Sequence, residues 1–204
     1  MSYKNITYRL GILASGNGSN LQAIIDAIKN STIPDTQIVV VISNNRKAYA
    51  LERAKLENID HYYLNYKEYN SKQGYDQKIC NIMTSYNVDL IILAGYLRIV
   101  SSPLLTVFNK RILNIHPSLL PDYGGVNMYG IKIHETVIAN GEKYSGCTVH
   151  IVTEEVDKGP ILNQIRISVD RNDTPQTLAK RILKYEHQIY PNTIREYLKK
   201  LNKE

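Results

Sequence analysis

Residues Tyr8–Lys29 have the sequence YRLGILASGNGSNLQAIIDAIK, and this stretch decides the fold. Its apolar run Tyr8–Ala14 is typical of a buried strand. A glycine-rich turn follows, and from Leu21 to Lys29 the apolar residues recur at the spacing of an amphipathic helix. A strand, a glycine-rich turn and a helix in this order begin a doubly wound α/β sheet, so we expect that fold class.

The same alternation continues along the chain and predicts the remaining elements. We expect further strands at Gln37–Ile42, Ile59–Leu64, Val88–Ala94, Arg111–Ile115, Cys147–Thr153 and Ile161–Val169, and helices at Ala48–Glu57, Ser71–Tyr86, Met128–Asn140 and Thr174–Leu201. The last helix contains Pro191, which can bend it. The pattern predicts an α/β fold, with a doubly wound, mostly parallel sheet flanked by helices and a Rossmann-like N-terminal half.

The bulk properties of the 204-residue chain exclude several classes of protein. It is 43% hydrophobic and 22% charged, as ordinary globular domains are. No apolar stretch approaches the ~20 residues of a membrane span, and the N-terminus lacks the apolar core of a signal peptide. The two cysteines, Cys80 and Cys147, have neither metal-ligand spacing nor the pattern of a disulfide framework. We therefore expect a cytoplasmic protein with no metal and no membrane association.

The net charge of +6 and the pI near 9.1 raise the question of a nucleic-acid partner. The basic residues are scattered, and the pair Lys199–Lys200 lies at a predicted helix end, where cations interact favourably with the helix dipole. We therefore expect small anionic substrates and no nucleic acid.

The turn Gly16–Asn20 is a candidate phosphate site. Gly18 allows an unusual backbone conformation, and Ser19 and Asn20 open a helix whose free N–H groups favour an anion. The turn has neither the lysine of a Walker loop nor a full dinucleotide fingerprint, so it suits a single phosphate monoester. Taken alone, the same glycines are equally typical of a simple turn.

The string Asn114–Pro121, NIHPSLLP, carries the strongest chemical signal. Residues two apart in an extended segment point to the same side, so Asn114 and His116 can face one reacting atom. An amide donor and a proton-carrying imidazole in that position suit an oxyanion formed during acyl transfer. An Asn-x-His pattern alone is more often a strand end whose hydrogen bonds are satisfied.

The full string resembles the signature of the folate-dependent formyltransferases, and the resemblance extends from Arg9 to about Tyr197. It implies an enzyme that moves the formyl group of 10-formyltetrahydrofolate, its co-substrate, onto an amine. The residues that match Asn114 and His116 polarise the formyl carbonyl in that family. Asp157 matches the family's catalytic aspartate, although its spacing alone is typical of a turn residue. We expect Asp157 to raise the pKa of His116, and His150 to be a supporting or core residue.

The resemblance also implies the binding residues. Gly18, Ser19 and Asn20 resemble the phosphate-binding stretch of the members that act on glycinamide ribonucleotide, and Glu186 matches a residue that contacts this substrate. The residues implied in folate binding are Lys72, Leu97, Arg98, Ile99, Val100 and Asn114. In the family the segment that matches Leu97–Val100 holds the pterin, and the arginine meets the glutamate tail.

Three departures from the family pattern are visible. Lys72 stands where several relatives have Arg, so a charge is kept but a bidentate fork is lost. Residues Gly124–Asn127 differ from the Pro-Gly that many members have after the signature, which puts the conformation of this flap in doubt. Leu183 stands where some members have Lys.

The resemblance implies formylation of glycinamide ribonucleotide in de novo purine biosynthesis. A formyltetrahydrofolate hydrolase or another formyltransferase of the family is the alternative, and a non-catalytic nucleotide-binding α/β module is an alternative of another class. We expect one domain over residues 1–204, with a nucleotide-binding half at about residues 8–100 and a catalytic and folate half at about 101–204. The sequence leaves monomer and homodimer both open.

Overall fold

The computed structural model describes residues 7–201, which form one seven-stranded sheet with helices on both faces. The strands are β1 Tyr8–Leu13, β2 Thr36–Ser43, β3 Asp60–Tyr63, β4 Leu90–Leu93, β5 Ile112–His116, β6 Tyr144–Ile151 and β7 Ile161–Ser168. Their order in the sheet is β3-β2-β1-β4-β5-β6-β7. The first five strands in that order are parallel, and β6 and β7 are antiparallel to their neighbours. The predicted doubly wound, mostly parallel sheet is confirmed.

Two apolar clusters form the core, one on each face of the sheet. The helices are α1 Ser19–Lys29, α2 Tyr49–Leu56, α3 Lys72–Ser85, α4 Ser102–Val107, α5 Ile131–Ala139 and α6 Pro175–Leu201. One cluster packs α1, α2, α5 and α6 against the sheet, and the other packs α3 and α4. Among residues 7–201, no helix combines the length and the apolar character that crossing a bilayer requires.

Two helices differ from the sequence prediction, and strand β6 begins at Tyr144 and not at Cys147. Helix α4 was not predicted, because six residues are too few to show a helical period. Helix α5 begins at Ile131 and not at Met128, since Gly130 just before it has a left-handed φ of 60°. The long helix predicted at Thr174–Leu201 is confirmed as α6, which runs from Pro175 to Leu201 without interruption at Pro191.

The strand order places a topological switch between β1 and β4. The chain runs outward from β1 through β2 and β3 and then returns to β4, so a crevice opens beyond the carboxyl ends of β1 and β4. Helix α6 is fixed over this crevice by Tyr190, whose buried hydroxyl lies 3.1 Å from the carbonyl oxygen of Leu93 and 2.9 Å from that of Leu113. Glu186 precedes Tyr190 by about one helical turn and therefore faces the same crevice.

Candidate active site

Strand pairing places Asn114 directly opposite His150 in the antiparallel ladder of β5 and β6. The Asn114 Nδ2 atom lies 3.1 Å from His150 Nε2, and His150 Nδ1 lies 3.1 Å from the carbonyl oxygen of Ile151. A carbonyl oxygen only accepts, so His150 Nδ1 carries a proton and Nε2 of the neutral ring accepts from the amide. The second amide N–H of Asn114 is then free to bind a ligand.

His116 ends β5 and is buried. Its Nε2 atom donates to the carbonyl oxygen of Tyr123 at 2.9 Å, which assigns the Nε2 proton. The hydroxyl of Tyr123 in turn donates to Glu142 Oε1 at 2.6 Å, so this carbonyl is held in place. The other ring nitrogen of His116, Nδ1, is 3.6 Å from Asp157 Oδ2. Nδ1 is therefore the atom at which His116 can take up and release a proton.

Asp157 lies in the loop between β6 and β7, in a left-handed conformation with φ 57°. Its Oδ2 atom accepts from the backbone N–H of Gly125 at 2.9 Å, and its Oδ1 atom is 3.5 Å from His150 Nε2. One carboxylate thus contacts the flap after the signature and lies beside both histidines. A left-handed φ at a non-glycine residue is typically kept at functional sites, where the surrounding structure enforces it.

The ionisation of this group differs from the expectation. Burial lowers the pKa of His116; Asp157 raises it, as predicted, but the effect of burial is the larger one and the net shift is downward. Burial raises the pKa of Asp157, but the adjacent His150 ring, the charge that His116 carries when protonated and the N–H of Gly125 together lower it below its usual value. The resting site at neutral pH therefore combines a neutral His116 with an ionised Asp157.

The segment after His116 is braced by the neighbouring strands. The hydroxyl of Thr148 donates to the carbonyl oxygen of Ser118 at 2.7 Å and accepts from the N–H of Leu120 at 3.1 Å. Gln164 on β7 donates to the same hydroxyl at 2.8 Å. These bonds satisfy backbone groups that the prolines of the signature cannot pair, and they hold His116 at the strand end.

Gly124 is closely packed against side chains of the signature turn and of the Asp157 loop. A Cβ atom there would lie 2.5 Å from Leu120 Cδ2 and 3.2 Å from Asp157 Cβ. A larger residue would therefore require the Leu120 side chain to shift and would press against Asp157. The departure from the family pattern at Gly124 is thus compatible with a close fit of the flap to Asp157.

The turn at Gly18 forms the opposite end of the site. Gly18 has φ 73°, and a Cβ atom there would lie 2.8 Å from Ala50 Cβ, so only glycine fits. Helix α1 begins at the next residue, and within residues 7–201 no side chain caps its first N–H groups. Those N–H groups and the positive end of the helix dipole are therefore available to an anion.

Asn20 connects this turn to α6. Its Nδ2 atom donates to Glu186 Oε2 at 2.7 Å, while its buried Oδ1 atom has no hydrogen-bond partner among residues 7–201. Burial raises the pKa of Glu186, and the bond from Asn20 opposes that rise. An unpaired buried acceptor is costly, so Asn20 Oδ1 indicates a missing ligand that carries donors.

A cavity of about 540 Å³ connects the two ends of the site. The residues implied by the sequence that line it are Asn20, Lys72, Leu97, Arg98, Ile99, Val100, Asn114, His116, Asp157 and Glu186. Gly18 and Ser19 lie outside this lining, at the start of α1. Residues 125–130 form a further wall, on which the side chains of Val126 and Tyr129 are largely exposed.

Two cations lie at the end of the cavity away from α1. The Arg98 guanidinium carbon stacks 3.2 Å above the Tyr66 ring centre, and Lys72 Nζ lies 3.4 Å from the carbonyl oxygen of Val100. The adjacent loop is fixed by buried Asp76, which accepts from the backbone N–H of Ser101 at 2.7 Å and from its hydroxyl. This end can therefore bind carboxylates.

A family model for formyl transferases matches residues 8–194 of the chain. The chain belongs to the formyl transferase family. Phosphoribosylglycinamide formyltransferase of Escherichia coli (strain K12) is 39% identical over 183 residues, which cover 90% of this chain and 84% of that protein. The trifunctional purine biosynthetic protein adenosine-3 of Bos taurus is 39% identical over 91% of this chain, which spans only 18% of that longer protein. The predicted family is confirmed.

The fold of this formyltransferase also matches a solved structure. Glycinamide ribonucleotide transformylase 1 from Symbiobacterium toebii superposes with a TM-score of 0.90 and is 42% identical. The match covers 96% of this chain and 89% of that one.

Several residues of the formyltransferase site were absent from the sequence-based site set. His150 was expected only to support the site, yet it contacts Asn114 and lies beside Asp157. The alternation of Thr148 and His150 along β6 indicated that they share one face of the sheet. Which β5 residue each one meets depends on the pairing register of β5 and β6, which the sequence does not show. The buried Asp76–Ser101 pair had no such signal, and of the wall at residues 125–130 only the part within the flap Gly124–Asn127 had been noticed, as a departure from the family pattern. Within residues 7–201, no cluster of His, Cys, Asp and Glu side chains has the geometry of a metal site.

Proposed function

We propose that this formyltransferase transfers the formyl group of 10-formyltetrahydrofolate to the amine of glycinamide ribonucleotide in purine biosynthesis. The observation that carries the proposal is the meeting of Asn114, His116 and Asp157 in one cavity, between an open helix N-terminus and a cationic end. The relatives named for this reaction match nearly the whole chain. We also propose the catalytic and binding roles of the site residues that follow.

The ribonucleotide enters at the α1 end. Its phosphate accepts from the free N–H groups that follow Gly18, with Ser19 and Asn20 forming the first turn. Its ribose hydroxyls lie against Glu186 and Asn20, because the unpaired Oδ1 atom of Asn20 needs a donor. The amine then points along the cavity towards β5.

The folate donor occupies the other end. Its pterin packs along Leu97–Val100, where Leu97 and Ile99 offer exposed apolar surface. The glutamate carboxylates pair with Arg98 and Lys72, the two cations of that end. The formyl group then lies beside Asn114, within reach of His116.

The reaction is a direct attack of the amine on the formyl carbon. As the new C–N bond forms, the formyl oxygen becomes an oxyanion that accepts from the free amide N–H of Asn114. The proton that the amine loses passes to Asp157 and on to Nδ1 of His116, directly or through water, and the protonated Nδ1 then also donates to the oxyanion. When the bond to the folate nitrogen breaks, that nitrogen takes the proton and tetrahydrofolate leaves.

We also propose that one domain carries the reaction, with a nucleotide-binding half at about residues 8–100 and a catalytic half at about 101–204. The buried free thiols of Cys80 and Cys147 support a reducing, cytoplasmic location. Monomer and homodimer are both compatible with this proposal.

A spectrophotometric assay with 10-formyl-5,8-dideazafolate tests the function. We expect rapid deformylation of this donor only when glycinamide ribonucleotide is present. Deformylation at the same rate without the ribonucleotide would identify a hydrolase and overturn the proposal.

A further inference from the structure

The positively charged guanidinium of Arg53 on α2 lies at the turn at Gly18. Its hydrogen bonds are to neutral acceptors alone. Its Nε atom donates to the carbonyl oxygen of Asn17 at 2.9 Å, and its Nη2 atom donates to Asn17 Oδ1 at 3.0 Å. Its Nη1 atom donates to Gln22 Oε1 at 2.9 Å. Among residues 7–201, none of the ion pairs within 4.0 Å includes Arg53. Its charge is therefore not neutralised within the described part of the chain.

The two residues that Arg53 binds lie on either side of the helix start. Asn17 precedes Gly18, and Gln22 closes the first helical bond of α1 by donating its N–H to the carbonyl oxygen of Gly18 at 2.9 Å. The planar guanidinium of Arg53 contacts both residues and so fixes the spacing of the free backbone N–H groups between them. Arg53 thus acts on the geometry and on the charge of the same turn.

The surroundings of the turn do not neutralise this charge. The first turn of α1 carries no acidic residue. On the side of α6, burial and then the charge of Arg53 lower the pKa of His187, so its ring is neutral at pH 7. Asn20 is only 7% exposed and presents an unpaired oxygen to the cavity, which independently indicates that a ligand belongs here.

We propose that Arg53 is a positioning and specificity-determining residue for the phosphate of the acceptor substrate. Its guanidinium aligns the turn and supplies the counter-charge that makes a phosphorylated acceptor bind more tightly than its dephosphorylated form. The proposal rests on the proposed function, because it concerns how the enzyme recognises its acceptor substrate.

Steady-state kinetics of Arg53→Met test the assignment with two acceptors, glycinamide ribonucleotide and glycinamide riboside, which lacks the phosphate. We expect KM for the ribonucleotide to rise about 10- to 100-fold with little change in kcat, since one charge-assisted contact is lost. KM for the riboside should stay near its wild-type value. Lys55→Met, an exposed cation on the same helix, is the matched control and should change neither constant.

Two other results would overturn the assignment. An equal rise in KM for both acceptors would mean that Arg53 only supports the fold, and no rise for the ribonucleotide would mean that it does not bind phosphate. Arg53→Lys keeps the charge without the fork, and we expect its ribonucleotide KM to lie between those of wild type and Arg53→Met.

Binding of inorganic phosphate, measured by calorimetry, tests Arg53 separately from the reaction. We expect phosphate to bind the wild type and to bind Arg53→Met at least about tenfold more weakly. Equal binding to both would overturn the role of Arg53 even if the enzyme formylates the ribonucleotide. Phosphate binding that depends on Arg53, in an enzyme that does not formylate the ribonucleotide, would instead overturn the proposed function alone.

Discussion

The two ends of the cavity are built in opposite ways. At the α1 end, recognition depends on the backbone, because Gly18 turns the chain so that a helix presents free N–H groups. At the β5 end it depends on side chains, because Asn114 and His116 come from β5 and Asp157 comes from the loop between β6 and β7. A backbone site is specified by a few adjacent residues, whereas a side-chain site requires correct long-range pairing.

The ends also differ in their protonation chemistry. At the β5 end, two histidines each lie within 3.6 Å of one carboxylate, and a third histidine, His134, is buried nearby. The α1 end has a cation, Arg53, and a buried carboxylate, Glu186, which accepts a hydrogen bond from the amide of Asn20. We infer that the α1 end selects the acceptor and the β5 end moves protons. Substitutions at the two ends should therefore affect acceptor binding and proton transfer separately.

Asp157→Asn should have the largest effect. The variant keeps the size of the side chain but removes the charge beside both histidines, so kcat should fall about 10³-fold with little change in KM for the ribonucleotide. Steady-state assays with both substrates measure this change. Glu155→Gln alters an exposed carboxylate of the same loop and should leave kcat unchanged. A similar kcat for Asp157→Asn and wild type would remove Asp157 from proton transfer.

His116→Ala should lower kcat by about 10²-fold, because it removes one of two donors to the oxyanion. Affinity for the ribonucleotide should be nearly unchanged, since the phosphate binds at the other end. Single-turnover rates and equilibrium binding separate the two effects. Near-normal turnover would move the acid to another group, of which His150 is the next candidate.

His134 should make the β5 side of the fold sensitive to acid. Burial first, and then the charge of His116, lower its pKa from 6.5 to about 4 in the folded protein. Because this folded-state pKa lies below the unfolded value, the stability is fully present above pH 6.5 and is lost as the pH falls towards 4. The loss should be about 2 kcal/mol after allowance for partial solvation.

Urea unfolding at pH 7 and pH 4.5 measures the contribution of His134. His134→Gln should lose less stability between the two pH values than the wild type, because its side chain does not titrate. His61→Gln, at an exposed histidine, is the control. An identical pH dependence of the wild type and His134→Gln would show that His134 does not stay neutral in the folded protein.

Gly18→Ala should have the smallest effect on catalysis, because the change is confined to the α1 end. The left-handed φ and the contact with Ala50 should cost about 1–3 kcal/mol of unfolding free energy and raise KM for the ribonucleotide. Gly16→Ala is a matched control, because a Cβ atom at Gly16 meets no described atom within 4 Å. Denaturant unfolding of the two variants compares them, and equal losses would contradict the account of the turn.

The sequence predicted the α1 end more completely than the β5 end. The strand, the glycine turn and the helix are local, and their periodicity is visible in one short stretch of residues. The shared side of Asn114 and His116 also followed from strand alternation. By contrast, the position of His150 required the β5–β6 register, and Asp157 was named through the family resemblance alone.

Some features could not have been derived from the sequence for physical reasons. Burial outweighs the charge of Asp157 at His116, and the degree of burial depends on the whole fold. The close packing at position 124 arises from contacts with Leu120 and Asp157, which come from separate segments. The hydrogen bonds from Arg53 likewise connect α2 to Gln22 on α1 and to Asn17 in the turn before it.

The fate of the formyl carbon tests the central claim most directly. The enzyme would be mixed with glycinamide ribonucleotide and a donor whose formyl carbon is labelled with ¹³C, and the products followed by NMR. Direct transfer predicts that the label is found as a formamide carbon bonded to the nitrogen of the acceptor. Label released as free formate, with the acceptor amine unmodified, would contradict the account.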